Sequence, residues 1–268
     1  MLRACARCHH RWLDVRPDPS EIEALYAAYY PRRTPAAPRA RISPSSAAAW
    51  VARELAVLDI GCGAGDALAY HRARGCTVHG IEADERAVVS ARAIGLTVDH
   101  GVFDPARFEP ASFDVVTLDQ VVEHFVDPAV ALAGIHHVLR RAGSLFLATP
   151  NAASAVARIA GDRWIHWHAP YHLQFFSRTS LARLAERAGF RVARLRTVTD
   201  PEWLSYQWIH ALTRPRVGDR SPLWAPELRR FDVRALRALR FLGGEALLTR
   251  LCDRLGAGDN FVAELRKL

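Results

Sequence analysis

The chain reads as an α/β fold, a doubly wound and mostly parallel sheet with helices on both faces, and three observations predict it. From about residue 50 of 268, short strand patterns and helical patterns alternate at the spacing of βα units. The strands, among them "AVLDI" and "FDVVTLD", are continuous apolar runs, as expected where both faces of a sheet are covered. A glycine loop, "GCGAG" at residues 61–65, directly follows the first strand, which is where such sheets receive ligands.

The elements follow in order. "AVLDI" is strand one, and "DALAYHRARG" after the glycine loop is a helix. "TVHGIEA" is the second strand, and "DERAVVSARAIG" is a helix ended by Gly95. "LTVDHG" and "FDVVTLD" are strands three and four. "DPAVALAGIHHVLRR" is a helix with Asp127 as N-cap and Pro128 at its first position. "GSLFLATP" is strand five, after which the pattern loosens until the helix "SRTSLARLAERAGF", capped by a Ser or Thr. "RVARLRTVT" is strand six, and "DNFVAELRK" closes the chain as a strand re-entering the sheet. Residues 47–268 therefore form one domain, with a mostly helical, arginine-rich insert at about 200–256. Residues 1–46 form an N-terminal segment. It holds Cys5-x-x-Cys8, a short helix starting at Ser20 with Glu23 at the capping-box position, and a Pro-, Arg- and Ser-rich linker from Pro31. "YAAYY", ending at Tyr30, reads as part of a lid.

Composition narrows the partners. The formal charge is +8, yet it is almost all arginine spread over helical stretches, and Lys267 is the only lysine. With no helix-turn-helix or RNA-recognition signature, a nucleic-acid partner is not expected. No apolar run reaches the length of a membrane span, and the start lacks the apolar core of a secretory signal, so a soluble, cytoplasmic protein is expected. Five cysteines make no disulfide framework. Cys5 and Cys8, followed by His9 and His10, have the spacing of half a zinc ribbon, with no second CxxC to complete it. A structural zinc needs four ligands, so no metal centre is expected.

The glycine loop carries the chemistry. Glycines at 61, 63 and 65 let the backbone turn tightly and approach a ligand with no Cβ in the way. The dinucleotide fingerprint G-x-G-x-x-G would place its third glycine at Asp66, and an acid there is a poor neighbour for a pyrophosphate. Asp59, just before the loop, suits a ligand bearing an ammonium group and no phosphate. Glu82, at the end of the second strand, stands where a carboxylate accepts both hydroxyls of a ribose.

"VLDIGCGAG", "GIEAD", "FDVVTLDQVVEHFVDP" and "GSLFLATPN" resemble, in this order, the motifs of class I S-adenosylmethionine-dependent methyltransferases. "GDRWIHWHAPYHLQFFSRTSLARLAERAGF" resembles the small-molecule subgroup of the ubiquinone O-methyltransferase type. The likeness covers residues 50–196 and the terminal "GAGDNFVAELRK". It implies a Rossmann-like sheet of seven strands with the last antiparallel, S-adenosyl-L-methionine as cofactor and S-adenosyl-L-homocysteine as product. It also implies roles. Gly61, Cys62 and Gly63 would meet the methionine part with Asp59 nearby, and Glu82 with Ala83 the ribose. Phe103 or Asp104 would flank the adenine, and Asp119 and Gln120 would line the pocket near the sulfonium. Two departures stand out: Val102 and Phe103 precede the acid at 104, and "RRAGSLF" replaces a Gly-Gly turn.

Methyl transfer is an in-line displacement, and an oxygen nucleophile needs a base. The loop "RWIHWHAPYHLQFF" concentrates histidines and aromatics, which makes His172 the candidate base, with His124 second; His136 and His137 read as packing residues. The acceptor is expected to be a small molecule methylated at oxygen: a quinone-like phenol, a sugar or a secondary metabolite. The competing readings are an NAD-dependent oxidoreductase and a non-catalytic, cofactor-binding partner subunit. In the insert, Leu236, Leu239 and Leu242 beside Arg234, Arg237 and Arg240 read as an amphipathic helix covering the sheet edge or a dimer face. The sharper reading is peripheral contact with an anionic membrane. Oligomeric state is not legible.

Overall fold

The computed structural model describes residues 1–18, 20–21, 42–43, 46–213 and 244–268. The domain begins at β3 (Ala56–Ile60), after a hairpin of β1 (Leu2–Ala4) and β2 (Arg11–Leu13). There follow α1 (Asp66–Arg72), β4 (Thr77–Glu82), α2 (Glu85–Ala93), β5 (Val98–His100), β6 (Phe113–Asp119), α3 (Pro128–Val138) and β7 (Leu139–Pro150). The chain continues through α4 (Ala155–Ala160), β8 (Gln174–Phe175), α5 (Arg178–Arg187), β9 (Phe190–Val198), α6 (Pro201–Thr213), α7 (Gly244–Arg254) and β10 (Asn260–Lys267).

All seven strands read from the sequence join one sheet, in the order β5-β4-β3-β6-β7-β10-β9. β3 to β7 pair in parallel, and β10 runs antiparallel to both β7 and β9. The chain winds outward from β3 through β4 to β5, then returns to β6 on the other side of β3. The crevice for a ligand therefore opens above the carboxyl ends of β3 and β6.

The apolar runs are continuous because both faces are covered. Leu58 and Ile60 of β3, Val116 and Leu118 of β6, and Leu145 and Leu147 of β7 face Leu132, Ile135 and Val138 of α3 and Leu181 of α5. Their sequence neighbours Val57, Val115, Phe146 and Ala148 point the other way, onto a 3-10 turn at Ala47–Trp50. A third cluster packs Leu68 of α1 and Val88 and Ala91 of α2 against Val98. Each such side chain removed from water contributes roughly 1.5–3 kcal/mol before the entropy of ordering it is counted. The caps follow the sequence: Asp127 accepts from Ala129 N and Val130 N, and Ser177 forms a capping box with Ser180.

The N-terminal segment differs from expectation. β2 pairs with β8, so the hairpin and the histidine-rich loop share a three-stranded sheet. Ser177 Oγ donates to Cys8 O at 2.9 Å, and Leu13 N donates to Leu173 O at 2.8 Å. The segment thus braces the domain through β8 and the start of α5. Glu23, Tyr30, most of the linker and the arginine–leucine stretch 234–242 lie outside the described residues. At "RRAG", Ala142 takes φ +60°, a left-handed turn that the expected glycine would hold at lower cost.

Gly65 makes the glycine loop testable. It has φ +89°, and an added Cβ would lie 2.3 Å from Leu96 Cδ1. Gly65→Ala should cost about 2–4 kcal/mol, from left-handed strain and overpacking, and lower Tm by roughly 5–10 °C. An unchanged melting curve would contradict this loop geometry.

Candidate functional site

The site is built from the first strand outward. β3 ends at Ile60, and the chain reverses through Gly61 at φ +73°, where a Cβ would stand 2.5 Å from Val121 Cγ2. Gly61 N and Cys62 N both donate to Ile81 O, at 2.8 and 3.1 Å, which ties the turn to β4. At the end of β4 the buried Glu82 accepts from Gly63 N at 2.7 Å and from Asp84 N at 2.8 Å. One carboxylate therefore fixes both the glycine loop and the entry to α2. Beneath the loop, Asp59 accepts from Thr117 Oγ1 at 2.6 Å, and burial pushes its carboxyl up to about 7.

A cavity of about 640 Å³ opens above these strand ends. Gly61, Glu82, Ala83 and Phe103 line its β3–β5 side; Asp119, Gln120 and His124 line it after β6; His166, His168 and His172 come from the loop after β7. Asp59, Cys62, Gly63 and Asp104 do not line it. Cys62 turns its sulfur toward Gly80 and the α1–α2 cluster, so only its backbone belongs to the turn. Asp104 caps the turn 105–107 by accepting from Ala106 N at 3.0 Å, and of the pair it forms with Phe103 only Phe103 faces the cavity. Burial raises the Asp119 carboxyl to about 6, while Ser46 Oγ donates to it. Gln120, at φ +58°, donates through Nε2 to Asn260 Oδ1 at 3.3 Å.

The other side of the cavity is stitched from two loops. His124 sits in a 3-10 turn, with the next helix starting only at Pro128. Its Nδ1 lies 2.9 Å from Tyr171 O, and His172 Nδ1 lies 2.7 Å from His166 O. A carbonyl can only accept, so each Nδ1 carries a proton, and in the neutral ring Nε2 keeps the lone pair. The two rings meet edge-on with centroids 4.7 Å apart. Leu173 N donates to Glu123 O at 2.8 Å, and Gln174 Nε2 donates to Phe125 O at 3.1 Å, which closes the seam. His166 in turn lies 3.2 Å from the buried Asp259, which accepts from Ser154 Oγ and from Trp164 Nε1. Burial, then the neighbouring imidazoles, push the His172 ring well below the ordinary histidine range; burial brings His168 to about 4. Both are neutral at pH 7. His136 and His137 stay away from the site, His136 packing on Phe190.

Sequence reasoning missed Glu123. It is buried, Thr149 Oγ1 donates to its Oε2 at 2.9 Å, and burial raises its carboxyl to about 8. The signal was present: it is the one acid in the apolar run "VVEHF", where a charge needs a reason. Asp259 was also missed, because it precedes the last strand and lies far from the histidines in sequence.

A family model described as a methyltransferase domain matches residues 26–195, more than half of the chain. The chain is 32% identical over 156 residues to a ubiquinone biosynthesis O-methyltransferase of Thiobacillus denitrificans, covering 53% of this chain and 67% of that one. It is 31% identical over 152 residues to the protein of the same name from Aromatoleum aromaticum, covering 52% and 65%. The chain thus spans about two thirds of the length of these relatives. Among solved structures, a methyltransferase from Galdieria sulphuraria superposes with TM-score 0.55 at 18% identity, over 82% of this chain and 81% of that one. That likeness concerns the fold.

The buried Asp59 gives a pH test. Its folded pKa lies above the ordinary 3.8, so the folded state keeps the proton longer than the unfolded chain. Its contribution to stability therefore falls as pH rises from about 4 to about 7, by up to ~1.4 kcal/mol per unit. Asp59→Asn should show a shallower decline of Tm between pH 5 and 7 than wild type. Parallel profiles would contradict the raised pKa.

Proposed function

The chain belongs to the class I S-adenosylmethionine-dependent methyltransferases, and on that premise we propose that it methylates an oxygen of a small, uncharged, phenol-like acceptor. The observation that carries this is one cavity with Glu82 and Gly61 on one side and two lone-pair imidazoles, His124 and His172, on the other. In this reading the ribose hydroxyls donate to Glu82, whose oxygens each keep a lone pair after accepting one amide. The adenine lies beside Phe103, and the methionine part follows Gly61 toward Asp119 and Gln120. Oxygen is favoured by the O-methyltransferase relatives and by the imidazoles at the acceptor side.

In the transfer itself, the acceptor oxygen attacks the methyl carbon in line with the breaking S–C bond. S-adenosylhomocysteine leaves as a neutral thioether, and the hydroxyl proton passes to an imidazole Nε2, that of His172 by preference. His172 is a weak base, so it takes the proton as the new O–C bond forms rather than before. The neutral His168 packs beside it and Trp203 lines the same cavity, which suits an uncharged ring more than a charged acceptor.

Isothermal titration should give a Kd on the order of micromolar for S-adenosylhomocysteine. Glu82→Ala should raise it at least about tenfold, since a charge-assisted bond contributes about 1.5–3 kcal/mol. Folded protein that binds none would remove the proposal, and unchanged affinity in the variant would remove the role of Glu82. In a panel of phenols read by S-adenosylhomocysteine release, His172→Ala should lower kcat by about 10²–10⁴. Undiminished turnover would exclude His172 as base.

A further inference from the structure

We propose that Asp259 is a positioning residue for methyl transfer: through His166 it fixes the turn that holds the His172 ring at the acceptor side of the cavity. This rests on the methyl-transfer reading of the same cavity, in which His172 takes the acceptor's proton.

The dependence begins at His172. Its Nδ1 donates to His166 O at 2.7 Å, so the place of its Nε2 follows from where the backbone of residue 166 lies. That backbone belongs to one 3-10 turn, Ile165–Trp167, followed by His168 in the left-handed region at φ +31°. So short a turn has few hydrogen bonds of its own. Trp167 N donates to Trp164 O at 3.1 Å, while Ile165 N donates outward to Gln207 Oε1 at 2.7 Å. The turn is therefore held by what its side chains meet.

Two of them meet Asp259. This residue stands just before β10, where its N donates to Thr199 Oγ1 at 3.1 Å and its O accepts from Asn151 N at 2.8 Å. From that anchored position the carboxylate grips the turn on both sides of Ile165. Oδ1 accepts from Trp164 Nε1 at 3.0 Å, and Oδ2 lies 3.2 Å from His166 Nε2. Ser154, the N-cap of α4, also donates to Oδ1, at 2.8 Å. None of these four residues is more than 3% exposed. His166 Nε2 has no aligned hydrogen-bond partner among the described residues, and Asp259 Oδ2 is what faces it. A carboxylate oxygen accepts, so this contact is favourable with a proton on Nε2. The His166 ring is packed between Trp203 and Trp164, with centroids 5.2 and 5.3 Å away, and lies parallel to His172 at 6.4 Å.

A carboxylate this deeply buried costs free energy that an apolar side chain filling the same space would not. Filling the core needs no such group. Gathering three polar side chains beneath the turn that carries His172 does, because one carboxylate fixes all three at once.

The test is long-range proton–nitrogen NMR of the full chain with ¹⁵N-labelled histidine at neutral pH, His172→Gln assigning the signals of that ring. Wild type should show a protonated Nδ1 and a lone-pair Nε2 at His172, with well separated signals. In Asp259→Ala the two should draw together as the tautomers mix, while the Kd for S-adenosylhomocysteine stays within about twofold. In the panel of phenols, kcat should fall about 10–100-fold. His166→Phe keeps a ring and the backbone carbonyl but removes the nitrogen facing Asp259. It should give the same mixing, and it decides the matter if Asp259→Ala does not fold. The proposal is overturned if wild-type His172 lacks that pattern, or if its signals stay separated in the folded variant. It is also overturned if affinity for S-adenosylhomocysteine is lost together with the pattern, since the effect is then general. Wild type that binds no S-adenosylhomocysteine removes the methyl-donor reading, and the histidine spectra still report the positioning by themselves.

Discussion

A single buried carboxylate sets the geometry of the ligand crevice. Glu82 receives one backbone amide from the glycine loop and one from the start of α2, and it is shielded from water. Both bonds are charge-assisted and worth more than neutral ones. They hold Gly63 close to the end of β4, which in turn requires the positive φ of the loop and the small side chains around it. The acid is therefore structural before any ligand arrives. Its position on the cavity wall is what puts it in reach of the nucleoside hydroxyls in the proposed reading.

The rest of the crevice buries titratable groups whose charged forms burial disfavours. Asp59, Asp119 and Glu123 are each raised toward or beyond neutrality by burial, and His168 and His172 are lowered by the same cause. Desolvation disfavours the charged form whatever its sign, so acids and imidazoles converge on neutrality. Ser46, Thr117 and Thr149 hydroxyls supply the hydrogen bonds that keep these acids in place. Such arrangements cost stability and are tolerated where function uses them.

Nearly all of the domain's sheet was legible in the chain, because burial on both faces forces apolar runs that alternate in destination: Leu58 to one side, Val57 to the other. The caps at Asp127 and Ser177 were legible because their chemistry is local. What could not be read was contact between distant segments. The pairing of β2 with β8, the reach of Asp259 to His166, and the burial of Glu123 all depend on pieces more than twenty residues apart meeting in space. Local pattern contains no record of that. His124 illustrates the middle case: the sequence offered it as the second candidate base, and its place on the cavity wall was legible while its bond to Tyr171 O was not.

The most direct measurement is a crystal structure with S-adenosylhomocysteine bound. The ribose hydroxyls should lie within hydrogen-bond distance of Glu82, with the adenine beside Phe103. The sulfur should face the side of the cavity lined by His124 and His172, leaving room for an acceptor oxygen about 3–3.5 Å from the methyl carbon. A ligand seated away from Glu82, or with its sulfur turned from the two imidazoles, would contradict the assignment of this cavity to methyl transfer.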